Sequence, residues 1–124
     1  MRIISFRTAD FSFIAEFNDS AAARALISGM PISSFISTWG DEIYFDTGID
    51  TPADGAAVEV SVGDVAYWPA GKSLCIFFGR TPASRGTDKP VPASPVVIVG
   101  KTGASPEELR TIPANQEIIV SLAD

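Results

Sequence analysis

The first candidates for chemistry are three polar side chains that alternate along one short segment. Glu42, Tyr44 and Asp46 would share one face of a strand, with Ile43 and Phe45 on the other. Two carboxylates beside a phenol suit general acid–base catalysis or the binding of a cation. The same pattern is also typical of a strand whose polar face is exposed to water. The spacing leaves both interpretations open.

A second group of candidates is aromatic. Trp68 and Phe78 stand next to a proline and a glycine, and large rings in such positions suit the wall of an apolar cleft. Tyr67 and Phe77 are the neighbouring aromatics that we expect in the core. The alternative is that all four rings are ordinary core residues, because aromatic side chains are mostly buried.

Arg80 follows the aromatic segment and begins a proline-rich stretch. Its guanidinium could bind a ligand carboxylate through two hydrogen bonds, or it could pair with an acidic residue on the surface. We therefore predict a ligand-binding site made of Glu42, Tyr44, Trp68, Phe78 and Arg80.

Cysteine and histidine chemistry is almost absent from the sequence. Cys75 is the only cysteine and there is no histidine, which excludes an internal disulfide, a Cys–His catalytic pair and metal sites built from these residues. Cys75 lies in an apolar run, so we expect a buried and unreactive thiol. Residues 100–102, Gly-Lys-Thr, lack the upstream glycine of a phosphate-binding loop. The sequence predicts no metal and no cofactor, and it identifies no catalytic residue.

The composition predicts a single acidic domain over residues 1–124. With 46% apolar residues, the chain can bury a core of its own. Its net charge of −6 argues against nucleic acid and anionic membrane surfaces as partners, since both attract positive charge. No segment is apolar for long enough to span a membrane, and the first residues lack the apolar core of a signal peptide. We therefore expect a cytoplasmic protein.

Periodicity predicts about nine short strands and two short helices. The strands are predicted at 3–8, 10–17, 32–38, 41–46, 57–62, 65–68, 73–79, 96–99 and 117–122. The helices are predicted at 21–28, after three capping residues, and after Ser105, where a serine cap is followed by a proline and a glutamate. Many short strands indicate a closed barrel or a sandwich. A proline-rich loop over residues 80–95 is either functional or a rigid surface connection.

Several of these segments resemble the cyclophilins. Residues 13–26 resemble the opening of that family, where a strand with Phe and Glu runs through an Asp-containing turn into the first helix. Cys75-Ile76-Phe77-Phe78 looks like the cyclophilin strand with paired phenylalanines. Residues 40–45, 62–82 and 89–95 look like the small prokaryotic cyclophilin-like domain proteins, a family of unsettled function. The resemblance implies a mainly β fold: a closed eight-stranded antiparallel barrel with a short helix over each end.

The motifs of the true isomerases are missing. Their catalytic strand carries Phe-His-Arg and then Gln-Gly-Gly, whereas residues 32–48 contain no His, Arg or Gln. The arginine polarises the prolyl amide, whose rotation barrier of about 18–20 kcal/mol must be lowered electrostatically. No cyclophilin catalytic residue is therefore carried over to this sequence.

The expected function is binding of a small ligand or a peptide in an aromatic groove, without proline isomerase activity. This expectation follows from an aromatic hairpin that is present while the isomerase residues are absent. One alternative is a weak peptidyl-prolyl isomerase that uses other residues, which the fold alone motivates. Another alternative is a structural subunit or a homo-oligomer whose aromatic surface is the interface.

Overall fold

The structure is a computed structural model that describes residues 1–124. It contains nine β-strands and two α-helices, so the fold is mainly β, as predicted. The elements in chain order are β1 (Arg2–Arg7), β2 (Ser12–Phe17), α1 (Ala21–Ser28), β3 (Ile32–Phe35), β4 (Ser37–Thr38), β5 (Glu42–Asp46), β6 (Asp64–Trp68), β7 (Ser73–Phe77), β8 (Val97–Thr102), α2 (Pro106–Arg110) and β9 (Glu117–Leu122). A single 3₁₀ turn, Pro69–Gly71, joins β6 to β7.

The sheet forms a nearly closed barrel. Its strand order is β3-β9-β1-β2-β8-β6-β7-β5-β4, and every pair is antiparallel. The two strands at the ends of this order, β3 and β4, are separated in the chain by Ile36 alone, whose N–H donates to the Gln116 carbonyl over 2.9 Å. They are two halves of one bent strand. Counted as one, they reduce the nine strands to the predicted eight, in a barrel that is nearly closed.

Phenylalanines fill the interior of the barrel. The Phe6 ring stacks on Phe13 with centroids 4.9 Å apart. The ring centroids of Phe17 and Phe45 lie 6.3 and 6.5 Å from that of Phe6. Both helices cover the barrel and contribute buried side chains to this core. Neither helix has the length and apolar character needed to cross a membrane.

Both helices begin at the serines that the sequence indicates. The Ser20 hydroxyl accepts a hydrogen bond from the Ala23 N–H at 3.2 Å, and the Ser105 hydroxyl accepts one from the Glu108 N–H at 3.1 Å. Each cap satisfies a backbone donor that has no partner inside the helix. Local sequence alone therefore sets where these helices start.

The predicted strand at 57–62 is wrong. This segment forms only an isolated bridge between Ala57 and Val96, and Val58 and Val62 are exposed. Its alternating valines match a half-buried strand, but every strand except the end strands β3 and β4 already has a neighbour on both sides. Only Ala57 finds a partner, at Val96 just before β8.

The proline-rich loop, predicted at residues 80–95, extends to Val96 because β8 begins only at Val97, and it lies against the outside of the barrel. Within it, the Thr81 hydroxyl donates to the Val91 carbonyl over 2.6 Å. At its start it packs on the turn between β4 and β5, where Gly40 has φ 61°. A Cβ at Gly40 would lie only 2.8 Å from the Arg80 carbonyl oxygen, so this contact requires glycine. The loop is thereby held over the outer face of β5 and β7.

Candidate functional site

The candidate site lies on the outer face of β5, β6 and β7. In β5 the side chains of Ile43 and Phe45 belong to the barrel core, so those of Glu42 and Tyr44 point outward. The register continues this face into β7, because Glu42 pairs with Phe77 and Tyr44 pairs with Cys75. Residues that the sequence places on one face thus meet across two strands.

Between this face and the proline-rich loop lies a cavity of about 180 Å³. Its lining is mostly apolar and comes from β5, β6, β7, the β4–β5 turn and the loop: Trp39, Glu42, Tyr44, Trp68, Cys75, Phe77, Pro92, Ala93 and Val96. An apolar protein cavity of about 150 Å³ is known to hold benzene. The cavity therefore has room for roughly one ring-sized group.

Two aromatic side chains form a fixed corner of the cavity. The rings of Tyr44 and Trp68 meet edge to face, with centroids 6.2 Å apart and an interplanar angle of 84°. The indole Nε1–H of Trp68 donates to the Ser94 hydroxyl in the proline-rich loop over 2.5 Å. This hydrogen bond holds the indole in place and ties the loop to the barrel.

Glu42 is the one acidic residue of the cavity lining, and it is only 6% exposed. No lysine or arginine nitrogen lies within 4.0 Å of its carboxylate, since the four salt bridges of the protein all involve other acids. Burial raises the pKa of Glu42 from 4.5 to about 7, and a weak hydrogen bond with the Cys75 thiol opposes part of this rise. Near neutral pH the carboxyl can therefore exchange a proton or acquire a negative charge inside an apolar cavity.

Cys75 contacts Glu42 from the neighbouring strand. The thiol is 1% exposed, and its burial, followed by the nearby Glu42 carboxylate, raises the pKa of Cys75 well above its usual value. The thiolate is the reactive form of cysteine. The predicted burial of Cys75 is confirmed, although the side chain lies in the cavity wall and not in the barrel interior.

We expect native Cys75 to react slowly with a thiol reagent at pH 8, and Cys75→Ala to lower the free energy of unfolding by roughly 1 kcal/mol. Labelling should become fast only in denaturant, because unfolding exposes the thiol and removes the Glu42 carboxylate from its side. Mass spectrometry of native and urea-unfolded protein makes this comparison. Equal labelling rates in the two states would contradict the burial of this group.

Three of the five predicted site residues meet at the cavity: Glu42, Tyr44 and Trp68. Phe78 does not, which corrects the sequence interpretation. Its ring is in the barrel core, with the Arg110 guanidinium carbon 5.9 Å from the ring centroid. Consecutive strand residues point to opposite faces, so Phe77 occupies the position in the cavity wall that we had assigned to Phe78.

Arg80 and Asp46 also lie away from the cavity. Arg80 is exposed and serves the proline-rich loop, donating to the Ser84 carbonyl at 2.8 Å and pairing with Asp88 at 3.6 Å. This matches the alternative in which Arg80 pairs with a surface acid. The exposed Asp46 carboxylate accepts from the Gly48 N–H at 2.8 Å. No three His, Cys, Asp or Glu side chains form a group that could hold a metal ion.

Sequence reasoning missed the contributions of Trp39 and of Pro92, Ala93 and Val96 in the loop. Trp39 reads as a residue of a hairpin turn, and its neighbour Gly40 allows the close approach of the loop to this turn. The density of prolines was the only signal that the loop could be structured and functional. Nothing in the spacing of these residues indicates that they meet Glu42.

The comparisons with known proteins define the class to which this fold belongs. The chain is a member of the cyclophilin-like family, whose model, described as Cyclophilin-like, matches residues 2–121. It is similar to the solution structure of the hypothetical protein AF2241 from Archaeoglobus fulgidus, with 32% identity over 98% of this chain and 95% of that chain and a TM-score of 0.83.

A second solved structure shares the fold at low sequence identity. It is McbB in complex with tryptophan, with a TM-score of 0.66 and 15% identity over 95% of this chain. The match spans 44% of the McbB chain, so this protein corresponds to less than half of McbB. No curated protein matches the sequence.

Proposed function

We propose that this protein is a ligand-binding cyclophilin-like domain whose cavity takes one small group, from either a free molecule or a peptide side chain. The observation that supports this proposal is the meeting of Tyr44, Trp68 and Phe77 around a cavity into which a buried, unpaired carboxyl projects. A cytoplasmic location is part of the same proposal.

An ordinary core would not be built in this way. Protein interiors are packed at the density of organic crystals, with few voids larger than a water molecule. Here Trp39, Tyr44 and Trp68 are only half-buried and surround open space. A buried acid without a lysine or arginine partner also costs folding free energy, which a purely structural packing layer would avoid. Both features favour a site that is completed by a ligand.

The proposed function does not include proline isomerase activity. An isomerase must stabilise a twisted amide with a well-placed hydrogen-bond donor or a cation. The titratable groups that line the cavity are a carboxyl, a thiol and a phenol, and no arginine is among them. The cavity is therefore suited to holding a group and lacks the cation that catalyses prolyl rotation in the cyclophilins that it resembles.

Intrinsic fluorescence offers a direct test, because both tryptophans of the chain line the cavity. A panel of small ring compounds, amines and short peptides should contain members that change the tryptophan emission and raise the melting temperature. We expect Tyr44→Ala to weaken binding of such compounds roughly tenfold, the usual effect of removing an aromatic anchor.

A matched control is Phe35→Ala, which removes an exposed aromatic from β3 that does not line the cavity. This variant should bind like the parent protein. Ligands whose affinity is unchanged by both Tyr44→Ala and Trp68→Ala would place the binding site elsewhere.

A further inference from the structure

We propose that the group bound in this cavity is a cation, specifically an alkylated ammonium group held against the aromatic rings and balanced by the Glu42 carboxylate. This inference rests on the proposed ligand-binding function and names the chemical class of the ligand.

The aromatic lining is of the kind that binds alkylated ammonium ions. Four aromatic side chains line a space of about 180 Å³: Trp39, Tyr44, Trp68 and Phe77. The face of an aromatic ring carries partial negative charge and attracts cations, and tryptophan does so most strongly. The rings of Tyr44 and Trp68 stand at 84° to each other, so they bound the cavity on two differently oriented sides. A cation in the corner of the cavity that these two rings form would contact more than one ring at once.

The charge of the cavity has the sign that a cation requires. Glu42 contributes one carboxyl, while no lysine or arginine lines the cavity or pairs with that carboxyl. A buried carboxylate without a partner is unfavourable, and an ammonium ligand would supply the missing positive charge. An anionic ligand would be repelled by the ionised carboxylate. A neutral apolar ligand would leave the carboxylate unpaired.

The scarcity of side-chain hydrogen-bond acceptors favours an alkylated ammonium over a primary one. A primary ammonium carries three N–H donors that each need an acceptor when buried. Apart from Glu42 and the phenol of Tyr44, the lining consists of apolar side chains and a thiol, and the nearby Ser94 hydroxyl already accepts from Trp68. Methyl groups on the nitrogen need no acceptor and pack against aromatic rings.

The same arrangement makes binding of the cation depend on pH. The titratable groups that face Glu42 are Cys75 on β7 and Tyr44 on β5 itself. The lining residues from β6, the β4–β5 turn and the proline-rich loop are two tryptophans, one proline and two aliphatic residues, none of which titrates. The carboxylate form of Glu42 becomes dominant as the pH rises above about 7. Affinity for a permanent cation should therefore increase between pH 6 and pH 8.

The test compares choline with 3,3-dimethyl-1-butanol, which has the same shape but carries a carbon atom in place of the charged nitrogen. Titrations are followed by tryptophan fluorescence and by calorimetry. We expect choline to bind the intact protein about tenfold more tightly than the neutral analogue at pH 8. At pH 6 the ratio of the two affinities should be smaller. Glu42→Gln should remove most of this preference, whereas Glu16→Gln, on the exposed face of β2, should preserve it.

Each outcome bears on one of the two proposals. Equal affinity for choline and its neutral analogue would overturn the cation inference and leave the proposed ligand-binding function intact. Binding of uncharged ring compounds, with no binding of choline or its analogue, would also overturn the cation inference and keep the ligand-binding function. A preference for choline that survives in Glu42→Gln would overturn the role of Glu42 as the counter-charge. Failure of every compound in the panel to bind would overturn both proposals.

Discussion

Glu42→Gln should raise the free energy of unfolding by about 3 kcal/mol at pH 8 and change it little at pH 4. The reason is that burial raises the pKa of Glu42 from 4.5 to about 7. Each pKa unit corresponds to roughly 1.4 kcal/mol. The rise from 4.5 to about 7 therefore means that ionising this buried carboxyl opposes folding by about 3 kcal/mol. Glutamine has nearly the same shape as glutamic acid and never ionises. The substitution therefore removes the cost of charge and keeps the packing.

The direction of the effect follows from proton counting. Between pH 4.5 and pH 7 the folded protein keeps the Glu42 proton while the unfolded chain releases it. Stability therefore falls as the pH rises through this window, and the loss is complete above the pKa of the folded state. Below pH 4.5 both states are protonated, so Glu42 and glutamine behave alike.

The absence of histidine simplifies the interpretation of this pH dependence. No other side chain has an ordinary pKa between 5 and 7.5, so a change of stability in this range can be attributed to Glu42. Urea unfolding followed by circular dichroism at several pH values gives the profiles of the parent, Glu42→Gln and Glu16→Gln. Glu16→Gln removes the same charge from an exposed strand position and should follow the parent. A Glu42→Gln profile parallel to the parent at every pH would show that Glu42 ionises normally.

This prediction is coupled to the proposed ligand. If Glu42 is kept in the cavity to balance an ammonium ion, the variant that gains stability at pH 8 should also lose its preference for choline. Such a trade between stability and binding is common where a site contains an unfavourably buried group.

Phe78→Ala should lower the free energy of unfolding by about 3–5 kcal/mol, the usual cost of removing a large aromatic from a core. The Phe78 ring is buried in the barrel interior and contacts the Arg110 guanidinium, so its loss leaves a cavity that the closed barrel cannot easily collapse. Ligand affinity of the folded variant should be unchanged, because the ring points away from the candidate site. Urea unfolding and fluorescence titration measure the two quantities separately.

A milder pair of substitutions keeps this test informative if Phe78→Ala fails to fold. Phe77→Leu trims a ring in the last residue of β7, and Phe78→Leu trims the ring of the next residue, which lies on the opposite side of the sheet. Only Phe77→Leu should alter the tryptophan emission and weaken binding of cavity ligands, because Phe77 lines the cavity with both tryptophans. An equal effect of the two variants on binding would contradict the assignment of faces in β7.

Much of the local structure could be predicted from the sequence because it depends on neighbouring residues. Ser20 and Ser105 start the helices through hydrogen bonds that span three residues. The alternation of Glu42 and Tyr44 with Ile43 identifies two faces of β5. Fold class followed from the number of short strands and, for the particular barrel, from resemblance to a known family.

The strand at 57–62 shows where this reasoning fails. Alternation of Val58, Val60 and Val62 satisfies the local rule, yet only Val60 is buried. Pairing requires a free strand edge, and in this nearly closed barrel seven of the nine strands already have a partner on both sides. Edge availability is a property of the whole sheet and has no signature in the segment itself.

The candidate site divides in the same way between sequence and tertiary structure. The sequence by itself determined that Cys75 and Phe77 share one face of β7 and that Phe78 lies on the other, and it singled out Glu42, Tyr44 and Trp68. Only the tertiary structure decided which face is interior and that the proline-rich loop covers the other. Alternation along a strand separates its side chains into two faces but does not tell which face is interior. The identity of the interior face depends on how the barrel closes. The burial of Glu42 and its raised pKa also depend on the loop, which packs on residues distant in the chain.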